Sequence, residues 1–452
     1  MSAQAPYTYK GFDLDPSRGL LTCRYEAGGR DFAERVGFGP GGRWDAPGVR
    51  AAARLVFLLA GVSYYKTTAA PVIDLGGTAV TSAERDFLRS FYLDGLGEFA
   101  FRNGLDLSGL EIVGPVSDEP SRGPGPGPGS AAGGTARPLV PFGGGIDSIV
   151  TVEMVRDRAD AALFIMGRPN DRFAAIEAPA AVTGLPVVRA AREIDPLLLR
   201  SRELGFLNGH VPITGILSAI ALMAAVLDGR NTVIMSNEWS ASAPTLEANG
   251  KPVNHQYSKS AAFEAGFRDV VAAALGGSVS YFSALRPFSE LWVARRFAAL
   301  EPYHPVFRSC NRAFHIDKAK RLDHWCGRCD KCCFIDLILA PFLSPDQLGQ
   351  VFGGREPLTD PEHPDGSLAE RFRTLLGTSA GARPFECVGD IDECRAALLL
   401  AAARPDRAGP GLLQTLAGEL AGYPAPPDPA VLLAPIGAHF IPESYAPADL
   451  LG

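Results

Sequence analysis

The chain has 452 residues, of which 21% are charged, and its formal net charge is −7 at neutral pH. This length predicts two or three domains with a large buried core. The acidic balance, with no run of Lys or Arg, argues against nucleic-acid binding through a basic surface. The N-terminus lacks a charged segment followed by an apolar one, so no secretory signal is predicted and we expect a cytoplasmic protein.

Residues 1–116 predict a small N-terminal α/β unit. Apolar runs separated by Pro- and Gly-containing turns predict strands at 7–14, 20–25 and 31–38. Helices are predicted from 49 to about 65 and from Thr81, a suitable N-cap, through 101. No catalytic constellation is recognisable in this unit. Residues 117–137 are almost entirely Pro, Gly and small residues, and they predict a disordered linker because they bury too little apolar surface to offset ordering.

Residues 138–345 alternate strand-like and helix-like segments. Strands are predicted at 139–142, 161–166, 185–189 and 232–235, with helices at 172–183 and 212–227. Strands joined by crossover helices predict a doubly wound parallel sheet with a ligand at its carboxyl ends. Beyond 345 the chain is predicted to be a helical C-terminal region, with helices at 345–352, 367–376, 391–403 and 412–420.

We predict a protein without membrane insertion, and one uncharged stretch has to be weighed against that prediction. Residues 211–227 hold seventeen residues without a charge, near the lower limit for a membrane span. The stretch contains Pro212 and Thr214 and lies inside an α/β pattern. We therefore interpret it as a helix buried between the sheet and a neighbouring layer.

The segment 142–148, Phe-Gly-Gly-Gly-Ile-Asp-Ser, is an apolar strand end, a glycine turn and a helix start. This arrangement aims backbone N–H groups and the positive end of a helix dipole at one point, which is typical of a phosphate site. Ser148 adds a hydroxyl donor, and Asp147 can hold Mg²⁺ beside phosphate oxygens. No Lys follows the glycines, so this is not a Walker-type loop. The alternative is a glycine-rich turn in an ordinary βα unit.

This segment resembles the Ser-Gly-Gly-x-Asp-Ser pattern of the PP-loop ATP pyrophosphatase family. Gly143 replaces the first Ser, which leaves the cradle to backbone donors. The resemblance implies an adenine nucleotide α-hydrolase-like domain that cleaves ATP between its α and β phosphates and adenylates a carboxylate or carbonyl oxygen. It implies Mg²⁺ at Asp147. The residues expected to bind ATP are Phe142, Gly143, Gly144, Gly145, Asp147 and Ser148, with Gly167 and Asn237 at the ends of later strands.

Five of the eight cysteines lie between 310 and 333. The spacing of Cys310, Cys326, Cys329 and Cys332 matches a tetrahedral thiolate site, for which Zn²⁺ is the expected ion, in a structural role. An iron–sulfur cluster is an alternative for the same ligands, as are a set of core cysteines or a redox pair. His315 or His324 could replace one Cys ligand. Cys333 falls outside the spacing and is expected to be a packed thiol.

The cysteine pattern resembles that of the 7-cyano-7-deazaguanine synthase branch of the family, which implies an amide- or nitrile-forming ligase as one function. That branch carries Arg and Asn where this chain has Thr214 and Gly215, so its substrate contacts cannot be carried over. A nucleotide-sensing protein without turnover is a further alternative, but Asp147 and Ser148 argue against it.

The whole layout resembles a different branch, which inverts the terminal L-glutamate of UDP-MurNAc-L-Ala-L-Glu in peptidoglycan precursor synthesis. That resemblance implies an ATP- and Mg²⁺-dependent epimerase with a UDP-MurNAc-dipeptide as its substrate partner, and a homodimer remains open. The expected proton carriers are polar residues near strand ends, and the sequence does not choose among His210, Glu238, His255 and Lys259. The thiols of Cys387 and Cys394 are a further alternative.

Overall fold

The computed structural model describes residues 5–117, 136–158, 160–248, 251–315, 317–359, 367–379, 388–447 and 450. Most of the predicted linker, 118–135, lies outside the described residues, as does Cys387.

The N-terminal unit contains the three predicted strands and the two predicted helical regions. Its elements are β1 (Tyr7–Asp15), β2 (Leu20–Ala27), β3 (Arg30–Gly37), α1 (Val49–Ala60), α2 (Val62–Tyr65), β4 (Val72–Asp74), α3 (Ser82–Leu93), α4 (Gly97–Asn103) and β5 (Glu111–Val113). Each predicted helix is divided in two, the first at Gly61. Thr81 caps α3 in a capping box with Glu84, as predicted. β4 and β5 were not predicted, because three-residue strands carry almost no periodic signal.

The middle of the chain alternates strands and helices as predicted. Its elements are β6 (Pro138–Pro141), α5 (Ile146–Val155), β7 (Ala162–Gly167), α6 (Ala174–Thr183), β8 (Val187–Glu193), α7 (Pro196–Leu199), α8 (Ile213–Asp228), β9 (Thr232–Met235), β10 (Leu246–Ala248), β11 (Lys251–Val253), α9 (Ala261–Leu275), β12 (Ser280–Ser283), α10 (Glu290–Ala298) and α11 (Asp330–Leu339). The C-terminal elements are α12 (Pro345–Val351), α13 (Ser367–Leu376), α14 (Ile391–Ala402), α15 (Leu412–Glu419) and α16 (Pro429–Leu432). The prediction of a helical C-terminal region is confirmed.

One sheet of ten strands runs through both the N-terminal unit and the middle of the chain, in the order β12-β9-β6-β7-β8-β3-β2-β1-β4-β5. The five strands from β12 to β8 are parallel to one another. β3 then joins β8 in antiparallel register, with Arg35 opposite Glu193. The predicted α/β class with a mostly parallel sheet is confirmed, and the sheet continues across the boundary predicted at 117–137.

A buried ion pair fixes the junction between β3 and β8. The guanidinium of Arg192 donates two hydrogen bonds of 2.8 Å to the two carboxylate oxygens of Glu34, whose side chain is fully buried. Such bidentate pairs hold both position and orientation. The N-terminal strands are therefore held in a defined register against the half of the sheet formed by β6–β9 and β12.

Two hydrophobic cores cover the sheet. The first contains α1, α8, α9 and the aromatic side chains of β1 and β2. The second contains α5, α10, α11 and the C-terminal helices. α8 is buried along most of its length, which confirms the interpretation of residues 211–227 as a packed helix. Among the described residues, no helix is long and apolar enough to cross a bilayer.

Candidate functional site

The glycine turn between β6 and α5 has one position, Gly144, at which only glycine fits. Gly144 has a φ of 77°, and a Cβ added there would lie 2.3 Å from the carbonyl oxygen of Ala175. Gly145 is the N-cap of α5 and carries no side chain, so the first turn of α5 presents its N–H groups and its positive dipole end to the space in front of it. Ser148 Oγ lies 3.0 Å from the carbonyl oxygen of Gly145.

A cavity of about 540 Å³ lies in front of this turn, within the size range of small-molecule sites. Five of the residues predicted to bind ATP line it, namely Gly143, Gly145, Asp147, Ser148 and Asn237. Within the described part of the chain, Phe142, Gly144 and Gly167 are not in the lining. Phe142 is buried in the second core, and Gly144 faces Ala175.

Polar groups beneath the sheet edge fix the backbone at the end of β9. The Asn237 N–H donates a 2.7 Å hydrogen bond to Ser283 Oγ. The carboxylate of Glu264 accepts from the Ser283 N–H and from Arg286 Nε, each at 2.8 Å, and Arg286 Nη1 donates to the carbonyl of Glu238 at 2.8 Å. Asn237 is therefore held at the cavity, whereas the Glu238 side chain is buried and lies outside the described lining.

We call the glycine turn 143–148 with the facing residues Arg308, Ser309 and Lys331 the phosphate wall of the cavity. The cysteine cluster lies directly behind it. The Sγ atoms of Cys310, Cys326, Cys329 and Cys332 all lie within 4.8 Å of one another, so this cluster could hold a metal ion. Ser309 precedes Cys310 and Lys331 precedes Cys332, so the cluster positions two residues of the wall.

The other cysteines and histidines of this region lie apart from the cluster. Cys333 is fully buried, as predicted for a packed thiol. His315 Nδ1 accepts from the N–H of Asp317, and His324 is an exposed side chain paired with Asp323. Neither histidine belongs to the described group of cysteines.

A loop between Cys310 and Cys326 is fixed across the cavity edge. Arg321 donates hydrogen bonds of 2.7 and 2.8 Å to the two carboxylate oxygens of Asp171, and these lower the pKa of Asp171 to about 2. Phe314, which lines the cavity, stacks on Phe173 at 5.7 Å between ring centroids. The segment after β7 and the loop between Cys310 and Cys326 are thus joined on one side of the cavity.

We call His255, Lys259 and Thr214 the histidine wall of the cavity. His255 Nδ1 lies 2.5 Å from Glu98 Oε2, and the rings of His255 and His210 have centroids 4.3 Å apart. Glu98 lies on α4 in the N-terminal unit, in which the sequence predicted no catalytic constellation. The only sequence signal for it is an acidic residue at a helix start, which is common.

Burial and neighbouring charges set the protonation of this cluster. Burial and the charge of the adjacent His255 together lower the pKa of His210 to about 4, so the His210 ring is neutral near pH 7. Burial raises the pKa of Glu98, but its hydrogen bond with His255 and the charges of His255, His210 and Arg102 outweigh burial and hold that pKa below its usual value. Glu98 is therefore an ionised carboxylate.

Two buried carboxylic groups lie beneath the cavity and were not found from the sequence. Burial raises the pKa of Glu290 well above its usual value, and the charges of Asp147 and Glu238 raise it further. Burial likewise raises the pKa of Glu393, whose Oε2 accepts from the N–H of Leu291 at 3.0 Å. The raised pKa of Glu290 disfavours a further negative charge beside Asp147.

Family models divide the chain at this cavity. A model of the MurL N-terminal domain matches residues 1–284, and a model of the MurL C-terminal domain matches residues 306–428. The chain belongs to the MurL family. The resemblance to the epimerase branch drawn from the layout of the sequence is confirmed.

Relatives named UDP-N-acetyl-alpha-D-muramoyl-L-alanyl-L-glutamate epimerase match over most of the chain. The protein from Xanthomonas oryzae pv. oryzae is 37% identical over 440 residues, which cover 95% of this chain and 94% of the relative. The protein from Salinispora tropica is 40% identical over 356 residues, covering 76% and 72%, respectively. The protein from a Micromonospora species is 37% identical over 401 residues, covering 87% and 84%.

Both MurL domains contribute to the cavity. The N-terminal match contains the glycine turn, Asn237 and the histidine wall, whereas Ser309 and Lys331 belong to the C-terminal match. Gly215, which takes the place of Asn in the deazaguanine synthase pattern, is packed so closely that an added Cβ would lie 2.6 Å from the ring of Phe91. That position faces the first core in this MurL protein.

Proposed function

We propose that this protein inverts the terminal L-glutamate of UDP-MurNAc-L-Ala-L-Glu to D-glutamate in an ATP-dependent reaction that releases AMP and pyrophosphate. The observation that carries the proposal is one cavity that combines a phosphate-type glycine turn with basic side chains on the facing wall. The 37% identity over 440 residues to a protein named as the epimerase for this substrate supports the choice of substrate. The protein would then be an isomerase of peptidoglycan precursor synthesis.

ATP is the cosubstrate that the phosphate wall suits best. The backbone N–H groups at the start of α5 and the hydroxyl of Ser148 are donors for phosphate oxygens. A side chain at Gly144 would collide with Ala175. Because Gly144 has none, the turn stays tight and a phosphate can approach its backbone. Asp147 would hold Mg²⁺, which neutralises charge on the phosphate oxygens when bound.

Adenylation explains why an epimerase needs ATP. Removing the α-proton beside a free carboxylate would place new negative charge on a group that is already anionic. In the proposed reaction a carboxylate oxygen of the substrate attacks the α-phosphorus of ATP, and pyrophosphate leaves. The resulting acyl adenylate is uncharged at the carbonyl, so the electron pair left by the α-proton is delocalised into it. After reprotonation on the opposite face, water cleaves the adenylate to AMP and the carboxylate.

Inversion requires proton transfer on two faces of the α-carbon, and two of the expected carriers line the cavity. His255 and Lys259 both belong to the histidine wall. His210 lies behind His255, and the side chain of Glu238 is buried. We propose that His255 and Lys259 carry the protons, with His210 in a supporting position. Glu238 is not a proton carrier in this proposal, and its backbone carbonyl accepts a hydrogen bond from Arg286.

The four cysteines suit zinc in a structural role. Cys326 Sγ and Cys332 Sγ are 3.6 Å apart, and Cys329 Sγ and Cys332 Sγ are 3.4 Å apart. A tetrahedral Zn²⁺ with bonds of about 2.3 Å holds its sulfurs about 3.8 Å apart, close to these separations. Four thiolates leave no open coordination position, so the ion would hold the C-terminal region against the phosphate wall. An iron–sulfur cluster on the same ligands would be seen by its iron content and visible absorption.

The test is incubation of the purified protein with ATP, Mg²⁺ and UDP-MurNAc-L-Ala-L-Glu, followed by assay of AMP, pyrophosphate and the chirality of the released glutamate. We expect AMP and pyrophosphate in amounts at least equal to the D-glutamate product. AMP and pyrophosphate with an amidated product and no inversion would replace the proposal with the ligase alternative. Inversion without any ATP consumption would overturn the adenylation step.

A further inference from the structure

The N-terminal unit contributes a side chain directly behind the histidine wall. α4 carries Glu98, whose side chain is 6% exposed, and packs against the segments that carry both histidines. A Cβ added at Gly97 would lie 3.3 Å from Val253, and Asn103 Nδ2 donates to the carbonyl of Asn208 at 3.1 Å. Glu98 is therefore held in place by packing on both sides.

The spacing within the cluster is that of a hydrogen bond rather than of two ligands on one metal ion. The Glu98 Oε2 to His255 Nδ1 distance is 2.5 Å. Two ligands on one tetrahedral ion with bonds of about 2.0–2.1 Å would lie roughly 3.3 Å apart. His210 Nδ1 is 3.9 Å from the same oxygen, beyond hydrogen-bond reach. Arg102 Nε engages the other oxygen, Glu98 Oε1, at 2.5 Å.

This hydrogen bond selects the tautomer of His255. An ionised carboxylate only accepts, so Nδ1 carries the proton and donates it to Glu98, which makes Nε2 the basic nitrogen of the neutral ring. We propose that Glu98 is the positioning residue for His255, which it orients at the cavity and stabilises when the ring becomes positively charged. The inference rests on the proposed function, because it assigns His255 the proton at the glutamate α-carbon.

The proton balance involves His255 and Lys259, and Lys259 gives a proton to the opposite face of the α-carbon. His255 Nε2 takes the α-proton, the ring becomes an imidazolium, and the electron pair of the C–H bond passes into the adenylate carbonyl. Glu98 stays ionised throughout and compensates the new charge. His210, which faces Glu98, His255, Lys66 and Lys259, is neutral near pH 7 and so does not oppose the charge on its neighbour. The imidazolium then returns its proton to solvent.

The test compares Glu98→Gln with wild type in two half-reactions, namely pyrophosphate release and deuterium incorporation at the glutamate α-carbon in D₂O. We expect deuterium incorporation to fall about 10²–10⁴-fold, as for loss of an orienting carboxylate, with pyrophosphate release within about threefold of wild type. Glu98→Asp, which keeps the charge, should recover part of the lost exchange. The KM for the dipeptide substrate should change little.

Glu84→Gln is the matched control, because Glu84 is also a buried carboxylate of the N-terminal unit, paired with Arg54 at 2.6 Å. Glu84→Gln should lower the melting temperature and should leave the ratio of deuterium incorporation to pyrophosphate release unchanged. Equal losses of pyrophosphate release and exchange in Glu98→Gln would make Glu98 merely structural and overturn the inference. The inference would also be overturned if His255→Gln lost a divalent ion while the cysteine-bound ion was retained, since the cluster of Glu98, His210 and His255 would then be a metal site. If wild type released no pyrophosphate, the proposed function itself would fail instead.

Discussion

The two walls of the cavity are built in different ways. The phosphate wall comes from one contiguous turn, 143–148, and from residues adjacent to the cysteine cluster, and the second core supports it. The histidine wall and the side chains behind it come from distant segments, because Glu98, His210 and His255 lie on α4, before α8 and after β11. The first wall depends on local backbone geometry, whereas the second exists only when the N-terminal unit is joined to the rest of the sheet.

Because of this difference, substitutions at the two walls should cause two different kinds of defect. Changes at the phosphate wall should act on ATP binding and on the C-terminal region next to the cysteine cluster. Changes at the histidine wall should act on proton transfer at the glutamate α-carbon and on the pH dependence of that transfer. Because the ten-stranded sheet links both walls, each can be altered while the other serves as an internal control.

The largest effect is expected from the cysteines behind the phosphate wall. Cys326→Ser or Cys329→Ser should lose one zinc ion per chain and several kcal/mol of stability, because metal binding is coupled to folding. Hydrogen exchange should increase in α11 and α14 before it increases in β1–β3. Cys333→Ala, which removes a buried thiol outside the four ligands, should keep the metal. Unchanged metal content in the two Ser variants, by elemental analysis, would contradict a role for the cluster in metal binding.

The next largest effect is a loss of activity in a protein that keeps its fold. Asp147→Asn or Ser148→Ala should lower pyrophosphate release by about 10²-fold or more, because both residues lie at the start of α5 beside the expected phosphates. Asp157→Asn, an exposed position beyond the end of α5, is the control and should behave as wild type. Wild-type turnover in both altered proteins would remove the ATP assignment from this wall.

A smaller effect is expected from the backbone of the turn. Gly144→Ala should cost about 2 kcal/mol, since alanine is strained at a φ of 77° and its Cβ would meet the Ala175 carbonyl. Gly143→Ala is the stability control, because nothing lies within 4 Å of a Cβ there. Denaturant unfolding measures both. Equal stabilities for the two variants would show that the turn is not held in the form described.

The smallest expected effect tests the burial of His210 behind the histidine wall. The pKa of His210 is about 4 in the folded protein, against about 6.5 in unfolded peptides. Between these pH values the unfolded chain binds a proton that the folded protein does not, so the free energy of unfolding falls as pH falls from 6.5 to 4. His210→Gln should reduce that fall by about 1–3 kcal/mol. His439→Gln, at an exposed histidine, should leave the slope unchanged, and an unchanged slope in His210→Gln would contradict burial of a neutral ring.

The elements that could be predicted from sequence are those with local signals. The glycine turn, the four clustered cysteines and strands such as β6 and β9 are each encoded by adjacent residues or short spacings. The strands missed, β4, β5, β10, β11 and β12, are three or four residues long, and their pairing supplies what their sequences lack.

The histidine wall shows why the rest could not be predicted. His210 and His255 were named as proton carriers, but Glu98 was not, since 157 positions separate it from His255 in the chain. The antiparallel pairing of β3 with β8 joins the N-terminal unit to the strands β6–β9 and β12. In the same way, the buried Ser283–Glu264–Arg286 network that holds Asn237 has no pattern of spacing to reveal it.

The most direct test of ATP-dependent epimerisation is deuterium incorporation at the glutamate α-carbon in D₂O, with and without ATP. With ATP and Mg²⁺ we expect one deuterium in the epimerised product and pyrophosphate formed in at least equal amount. Without ATP we expect no incorporation, because the bare carboxylate leaves the carbanion unstabilised. Incorporation at an undiminished rate without ATP would contradict the account, since proton removal would then not depend on adenylation.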